Sequence, residues 1–117
     1  MPQIVPIYLP AETVPSAVSD GRTVYTAQLT APAQGLPADI HTQTGLVLQR
    51  LAAVLQQAHS SPQQILRLEL TVPDARCIPA VYAVWQRWSE GCTPPPVWRF
   101  GRLPGALVAA DAVASVG

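Results

Sequence analysis

The clearest periodic pattern of apolar positions runs from residue 38 to about residue 59. Apolar side chains recur there every three or four residues, which is the spacing of one face of an α-helix. The polar residues between them are placed largely on the opposite side of that helix: Gln43, Gln49, Arg50, Gln56 and Gln57. The pattern predicts a long amphipathic helix that ends before the Ser-Ser-Pro segment at residues 60–62.

A period of two follows directly after this helix. Leu66, Leu68, Leu70 and Val72 alternate with polar residues, which predicts a strand with one buried face that carries these four side chains. The polar positions between them belong to the opposite face of the strand.

A second and shorter helical pattern follows, with Asp74 as the residue that can cap its N-terminus. Its apolar face is aromatic and consists of Ile78, Val81, Tyr82, Trp85 and Trp88. Pro79 falls in the first turn, where the missing N–H group of proline is tolerated.

Runs rich in β-branched residues at both ends of the chain complete the prediction. Residues 3–9 and 13–29 predict a β-meander, with Asp20-Gly21 as a hairpin turn, and residues 31–37 form a loop broken by proline and glycine. Residues 97–103 and 106–114 predict two final strands. The order β-β-β-α-β-α-β-β indicates an α+β fold with the helices on one face of a mixed sheet.

Composition narrows the classes of protein to consider. A chain of 117 residues with 49% hydrophobic residues fits a single domain over residues 1–117. Seven arginines balance seven acidic residues and there is no lysine, so no basic patch favours nucleic acid or a membrane surface as a partner. A weakly charged surface also favours burial between subunits, and we expect an oligomer.

The two cysteines carry no recognisable site. Cys77 and Cys92 have neither CxxC nor Cys/His spacing, so we predict no metal site and two reduced thiols. The N-terminal residues lack a basic region followed by a sustained apolar region, and no apolar run approaches the roughly 18 residues that span a bilayer. We therefore expect a soluble, cytoplasmic protein.

Three segments of the sequence resemble the YjgF family, also called the Rid or reactive intermediate deaminase family. Residues 39–72 are similar to its pattern "DI..QT...L.NL..VL..AG.S..DV.K..V.L", with Arg67 in place of the usual lysine. The segment "AVYAVWQRW" resembles its "VNEVYAEFF" helix, and "RLPGALVAADAVA" is similar to its "RLP.GALVEIEAVA" ending. The likeness covers about nine-tenths of the chain, with the segments in the family's order.

The resemblance implies a chorismate-mutase-like fold that assembles as a homotrimer with a central barrel-like core. Its ligand clefts lie between neighbouring subunits. The best-known members hydrolyse reactive enamines or imines to keto acids and ammonia without a cofactor. Such chemistry needs a cation for the substrate carboxylate, a group that positions water, and proton transfer at the imine.

The arginine that holds the substrate carboxylate in the family is absent at the matching position. That position lies seven residues before Arg102 and is Pro95, which has neither a charge nor a backbone donor. Arg99 lies four residues further on the same side, about 13 Å away in an extended chain. It is a candidate replacement, or else a surface arginine in an ion pair. Val97 stands where the family often has cysteine and is interpreted as part of the wall.

Asp111 matches the family's carboxylate that orients water, and it is the candidate catalytic residue. It lies in an otherwise apolar strand, where an unpaired charge is costly. It should therefore have a partner, a raised pKa or a ligand. A structural hydrogen-bonding role is the alternative.

Three further positions correspond to ligand contacts in the cleft that the resemblance implies, and two of them carry a different residue from the one usual in the family. Val14 stands where the family has a tyrosine that covers the substrate, and Gln28 is retained beside Ala27, which replaces a glycine. Tyr82 stands where the family helix has asparagine, and packing in the core or at an interface is the alternative to ligand contact for this residue.

Two functions remain open at this point. One is a divergent cofactor-independent hydrolase that acts on a small imine or enamine. The other is a non-catalytic member that binds a small ligand or a partner protein, which the loss of the arginine, tyrosine and glycine favours. Cleavage of RNA, which an older name of the family suggests, is disfavoured because there is no lysine and no close histidine pair.

Overall fold

A computed structural model describes residues 3–36 and 38–117. The chain starts with three short strands, β1 (Val5–Ile7), β2 (Ala17–Ser19) and β3 (Thr23–Thr26). Each is antiparallel to the next, so the predicted meander is confirmed.

The turn between β2 and β3 is the one that Asp20-Gly21 predicts. The Asp20 carboxylate accepts hydrogen bonds from the backbone N–H groups of Arg22 and Thr23 at 2.9 and 2.8 Å. Gly21 has a φ of 89°, a conformation that costs glycine least. The side chain and the glycine together close the hairpin.

The long amphipathic helix is α1 (Ile40–Gln57). Asp39 caps it, with its carboxylate accepting from the backbone N–H of Thr42 at 2.8 Å, which satisfies one of the free donors of the first turn. The apolar side of α1 is fully buried against the sheet and includes Val47, Leu48, Leu51, Val54 and Leu55. Helix type and apolar face are confirmed, and the helix lies within the predicted range.

Gln43 is wrongly assigned by the sequence pattern to the solvent side of α1. It is 1% exposed. Its Nε2 donates to the carbonyl oxygens of Leu36 and Ala38 at 2.7 and 2.9 Å, and its Oε1 accepts from the N–H of Leu107 at 2.9 Å. A polar side chain can be buried when its donors and acceptor are all used, so here the amide joins two loops to the helix.

The alternating segment forms β4 (Ile65–Val72). Leu68, Leu70 and Val72 are buried as predicted, but Leu66 is 62% exposed. The pairing with the neighbouring strand shifts between Ile65 and Arg67, because a β-bulge inserts an extra residue at this point. The bulge turns Leu66 outward and brings Ile65 into the core instead.

The second helix, α2 (Ile78–Ser89), packs on α1. Pro79 lies in its first turn as predicted. Asp74 caps a short 3-10 turn over residues 75–77 rather than α2 itself, because that turn leads directly into the helix. Trp85 is buried and its Nε1 donates to Thr93 Oγ1 at 3.1 Å, whereas Tyr82 is largely exposed.

The last two strands are β5 (Val97–Phe100) and β6 (Ala109–Ser115). The six-stranded sheet has the order β1-β2-β3-β6-β4-β5. Strand β6 is antiparallel to both neighbours, and β5 is parallel to β4 at one edge. The sheet is therefore mixed and the fold is α+β, as predicted.

The two faces of the sheet differ in what covers them. The core lies between α1, α2 and the face that carries Val24, Leu68, Leu70, Ala110 and Ala112. We call the opposite face the open face, because within residues 3–36 and 38–117 both helices pack on the core side. The residues at alternate positions of β4, β5 and β6 meet on the open face.

Candidate functional site

Three strands bring polar side chains together on the open face. Glu69 of β4 lies directly opposite Asp111 of β6 and beside Val97 of β5. Alternation along each strand puts Arg67 and Arg99 on the same face. We call Arg67, Glu69, Arg99 and Asp111 the charged cluster.

The Glu69 carboxylate joins both arginines of the charged cluster. Its Oε1 lies 2.6 Å from Nη2 of Arg67, and its Oε2 lies 3.2 Å from Nε of Arg99. The Glu69 side chain is only 11% exposed, whereas Arg67 and Arg99 are 58% and 65% exposed. A nearly buried carboxylate thus lies between two guanidinium groups that reach into solvent.

Asp111 has a raised pKa because of its surroundings. Burial of its carboxyl is the largest cause, followed by the negative charge of Glu69 and a hydrogen bond shared with the Glu69 side chain. Arg99 and Arg67 lower the pKa of Asp111 and offset part of this effect. Of the partner, raised pKa or ligand expected for Asp111, the structure gives it a partner in Glu69 and a raised pKa whose causes are the second carboxyl as well as burial.

A groove of about 230 Å³ opens beside these carboxyls and is called the Asp111 groove. Its lining combines three members of the charged cluster with aromatic and aliphatic surface and does not include Arg99: Tyr25, Thr26, Arg67, Glu69, Asp111, Ala112 and Val113. A carboxyl with a raised pKa can hold its proton at a pH where an ordinary aspartate has lost it. The groove therefore holds two facing carboxyls, of which Asp111 keeps its proton to a higher pH than an ordinary aspartate does.

Pro95, which stands at the position of the family's arginine, and the residues that follow it lie beside the charged cluster. Pro95 precedes β5 by two residues, and the side chains of Pro95, Val97 and Arg99 are all exposed on alternate positions. Arg99 belongs to the charged cluster, and its guanidinium is paired with Glu69. Val97 is the β5 neighbour of Glu69.

Two other predicted ligand contacts lie in a neighbouring groove. Val14 and Gln28 line a space of about 160 Å³ together with Glu12 and Arg50. Gln28 Nε2 donates to Thr71 Oγ1 at 3.3 Å, which connects this groove to the open face of β4. Val14 is exposed and presents only an aliphatic surface.

Tyr82 is apart from both grooves. It lies on α2, and its ring is 5.3 Å from that of Trp85 with an interplanar angle of 43°, a tilted aromatic contact. Tyr82 is absent from the lining of the Asp111 groove and of the neighbouring groove. Within the described residues this tyrosine therefore packs on Trp85 and lines neither of the two grooves.

Sequence reasoning missed Glu69 and Arg67 as members of the site. The signal was present, because the period of two in β4 places both on the face opposite the leucines. That Asp111 lies on the same face and directly opposite Glu69 depends on strand pairing, which periodicity alone does not give.

The described residues contain no group of three or more side chains arranged to bind a metal, and no helix of residues 3–36 and 38–117 is long and apolar enough to cross a membrane.

The family model described as endoribonuclease L-PSP matches residues 9–112. This range includes both helices and, apart from Val113, the residues that line the Asp111 groove. No curated protein has a significantly similar sequence.

Several solved structures share the fold at low sequence identity. A putative endoribonuclease L-PSP from Entamoeba histolytica has a TM-score of 0.87 and 18% identity over 97% of this chain and 100% of that chain. A member of the YjgF/YER057c/UK114 family from Mycobacterium tuberculosis has a TM-score of 0.79 and 24% identity over 97% and 100%. The E. coli protein TdcF, solved with bound serine, has a TM-score of 0.78 and 19% identity over 96% and 93%.

Proposed function

The chain belongs to the endoribonuclease L-PSP family, whose members are also named YjgF, and from this premise we propose that it hydrolyses small imines or enamines in the Asp111 groove. The observation that carries the proposal is the pair of facing carboxyls, Asp111 and Glu69, with the pKa of Asp111 raised. Such a pair can both give and accept a proton beside a bound molecule. No cofactor is part of the proposed reaction.

The reaction needs water and four proton transfers, two in the addition of water and two in the release of ammonia. The protonated Asp111 carboxyl gives its proton to the imine nitrogen while water adds to the imine carbon, and a carboxylate of the pair accepts the proton that this water loses. The nitrogen of the resulting carbinolamine takes back a proton from the pair, and the C–N bond breaks with its electron pair leaving on nitrogen as ammonia. The hydroxyl group gives its proton to the carboxyl pair as the carbonyl forms. One imine and one water thus give one carbonyl compound and one ammonia, and an enamine enters by protonation at carbon.

We further propose that the working form is a homotrimer with the grooves completed between subunits. The support is the open face, which exposes apolar side chains such as Val18, Tyr25 and Val97. Apolar surface of this kind is commonly buried between protein chains. The groove in one chain is shallow, and a second chain would exclude water from it and strengthen its electrostatic interactions.

The proposed substrate lacks a carboxylate. Pro95 cannot bind one, and Arg99 is already paired with Glu69. The TdcF structure with bound serine supports a small-molecule site in this fold, but serine carries a carboxylate, and a ligand of this chain would have to be held by other groups. Two free cysteines are consistent with the cytoplasm as the proposed location.

The test is release of ammonia from imines generated during the assay. An amino-acid oxidase supplies an imino acid and an amine oxidase supplies an imine without a carboxylate, and spontaneous hydrolysis is measured without the protein. We expect micromolar protein to accelerate hydrolysis of the uncharged imine and to act weakly on the imino acid. Absence of acceleration with both imines would exclude the proposed hydrolysis.

A non-catalytic, ligand-binding role is the second candidate. It is favoured by the pairing of both arginines with Glu69 and by the aliphatic Val14 in the neighbouring groove, which leave few free polar groups to orient a substrate. Pro95→Arg separates the two candidates. A gain of activity on imino acids would show that the other groups of the site can catalyse hydrolysis. A variant with no more activity on imino acids than wild type would favour the binding role.

A further inference from the structure

The acidic side chain of the charged cluster's ion pairs is more buried than the acidic side chains of the other ion pairs. In the other two ion pairs of the described residues, Arg50–Glu12 and Arg76–Asp74, the acidic side chains are 34% and 43% exposed. The Glu69 side chain is 11% exposed and takes part in two pairs. The most deeply placed acid of an ion pair thus lies at the groove and uses a separate oxygen for each arginine.

This arrangement is costly for stability alone. Glu69 faces Asp111 directly across two antiparallel strands, and like charges in this position destabilise a sheet. Burial of a carboxylate also carries a desolvation cost that exposed arginines recover only in part. An uncharged residue at this position would avoid both costs, so a role in the groove accounts better for the acid.

The charges explain what that role is. With both carboxyls ionised, the cluster contains two positive and two negative charges, and each guanidinium already has Glu69 as a counter-ion. A carboxylate ligand entering the groove would compete with Glu69 for the arginines, and displacing Glu69 would leave a nearly buried charge without its partner, which is strongly unfavourable. Asp111 adds repulsion from the facing strand.

We propose that Glu69 is a specificity-determining residue that acts as an internal counter-ion for Arg99 and Arg67 and makes the Asp111 groove selective for ligands without a carboxylate. The inference rests on the groove being the ligand site of the proposed function, but it does not require that any ligand is hydrolysed. It assigns to Glu69 the place that a ligand carboxylate would otherwise take on the arginines.

The experiment compares binding of pyruvate and of pyruvamide, which share a skeleton and differ in charge, to the full-length wild type and to Glu69→Gln. Glutamine retains the size of the side chain but removes its charge, so a guanidinium becomes free to bind a carboxylate in bidentate fashion. Titration calorimetry, with amide chemical shifts to locate the site, should show that pyruvate binds Glu69→Gln at least about tenfold more tightly than wild type. Affinity for pyruvamide should change much less.

Two controls assign the gain to the charged cluster. Asp74→Asn removes the same charge from an exposed ion pair on the surface and should leave pyruvate binding as in wild type. The double variant Glu69→Gln/Arg99→Gln should lose the gained affinity, because the freed guanidinium is no longer present. A gain that persists in the double variant would contradict a role for Arg99.

The inference is overturned if folded Glu69→Gln, with the circular dichroism and oligomeric state of wild type, binds pyruvate no better than wild type does. If Glu69→Gln does not fold, the inference is tested with Arg99→Gln alone. We expect this variant to bind pyruvate as tightly as wild type does. A loss of affinity would contradict the inference, because it would show that Arg99 binds the pyruvate carboxylate even when Glu69 is present. These measurements read binding only. A gain in pyruvate affinity without ammonia release would therefore support the counter-ion and contradict the hydrolysis.

Discussion

At the scale of single residues, the site depends on two carboxyls that share one side of a sheet. Asp111 alone in an apolar strand would show the effect of burial only, but Glu69 directly opposite adds its charge and a hydrogen bond to the causes that raise the pKa of Asp111. The sequence predicted the perturbation at Asp111 from its apolar neighbours. It could not predict Glu69 as the partner, because that contact requires the register between β4 and β6.

The raised pKa of Asp111 makes stability depend on pH. The folded chain binds the Asp111 proton more tightly than the unfolded chain, so stability falls as pH rises from the ordinary value of 3.8 through the higher folded value. Asp111→Asn removes the ionisation, and we expect this variant to match wild type below that interval and to exceed its unfolding free energy by about 0.2–1 kcal/mol above it, the cost of facing like charges.

Urea unfolding at a series of pH values and constant protein concentration measures this difference. A difference between Asp111→Asn and wild type that is independent of pH would show that the ionisation of Asp111 is not its cause. A variant that is less stable than wild type at neutral pH would contradict the account directly.

At the scale of elements, the helices were predictable because their apolar faces are long and regular. Leu66 and Gln43 depart from the pattern for reasons that periodicity does not contain. Leu66 is turned outward by a bulge in β4, and Gln43 is buried because two loops and the start of α1 share its amide. Both features depend on contacts with distant parts of the chain.

The buried amide of Gln43 should be among the most sensitive polar positions of the fold. Gln43→Leu would leave the carbonyls of Leu36 and Ala38 and the N–H of Leu107 without this partner. We expect a loss of about 2–4 kcal/mol of unfolding free energy, since an unsatisfied buried group costs about 1–3 kcal/mol. Denaturant unfolding measures it.

Gln49→Leu is the matched control for this prediction. Gln49 lies on the same helix but is exposed, so its replacement should change the unfolding free energy by no more than about 0.5 kcal/mol. Equal effects of the two substitutions would show that helix propensity, and not the amide contacts, sets the stability at Gln43.

At the scale of the whole molecule, one chain covers only one face of its sheet. The fold class and element order followed from the sequence, whereas the exposed apolar face of the sheet did not, because apolar residues such as Val18 and Tyr25 fit the alternation of any strand. Their exposure becomes visible only when the helices are seen to occupy the other face.

A trimer predicts a mass in solution of three times the 12.5 kDa of the chain, measured by light scattering across a range of concentrations. Val18→Glu places a charge on the open face and should shift the mass towards one chain, because an unpaired charge in an interface is costly. Gln49→Glu adds the same charge on α1 and should leave the mass unchanged. A wild-type protein of one chain at all concentrations would contradict the proposed assembly.

The central claim is that the carboxyl pair of the Asp111 groove performs proton transfer on an uncharged imine. Its most direct test is kcat/KM for ammonia release from that imine by wild type, Asp111→Asn and the surface variant Asp74→Asn. We predict that Asp111→Asn lowers kcat/KM by at least about 100-fold, the usual contribution of a general acid or base, while Asp74→Asn matches wild type. A folded Asp111→Asn protein with the activity of wild type would contradict the account.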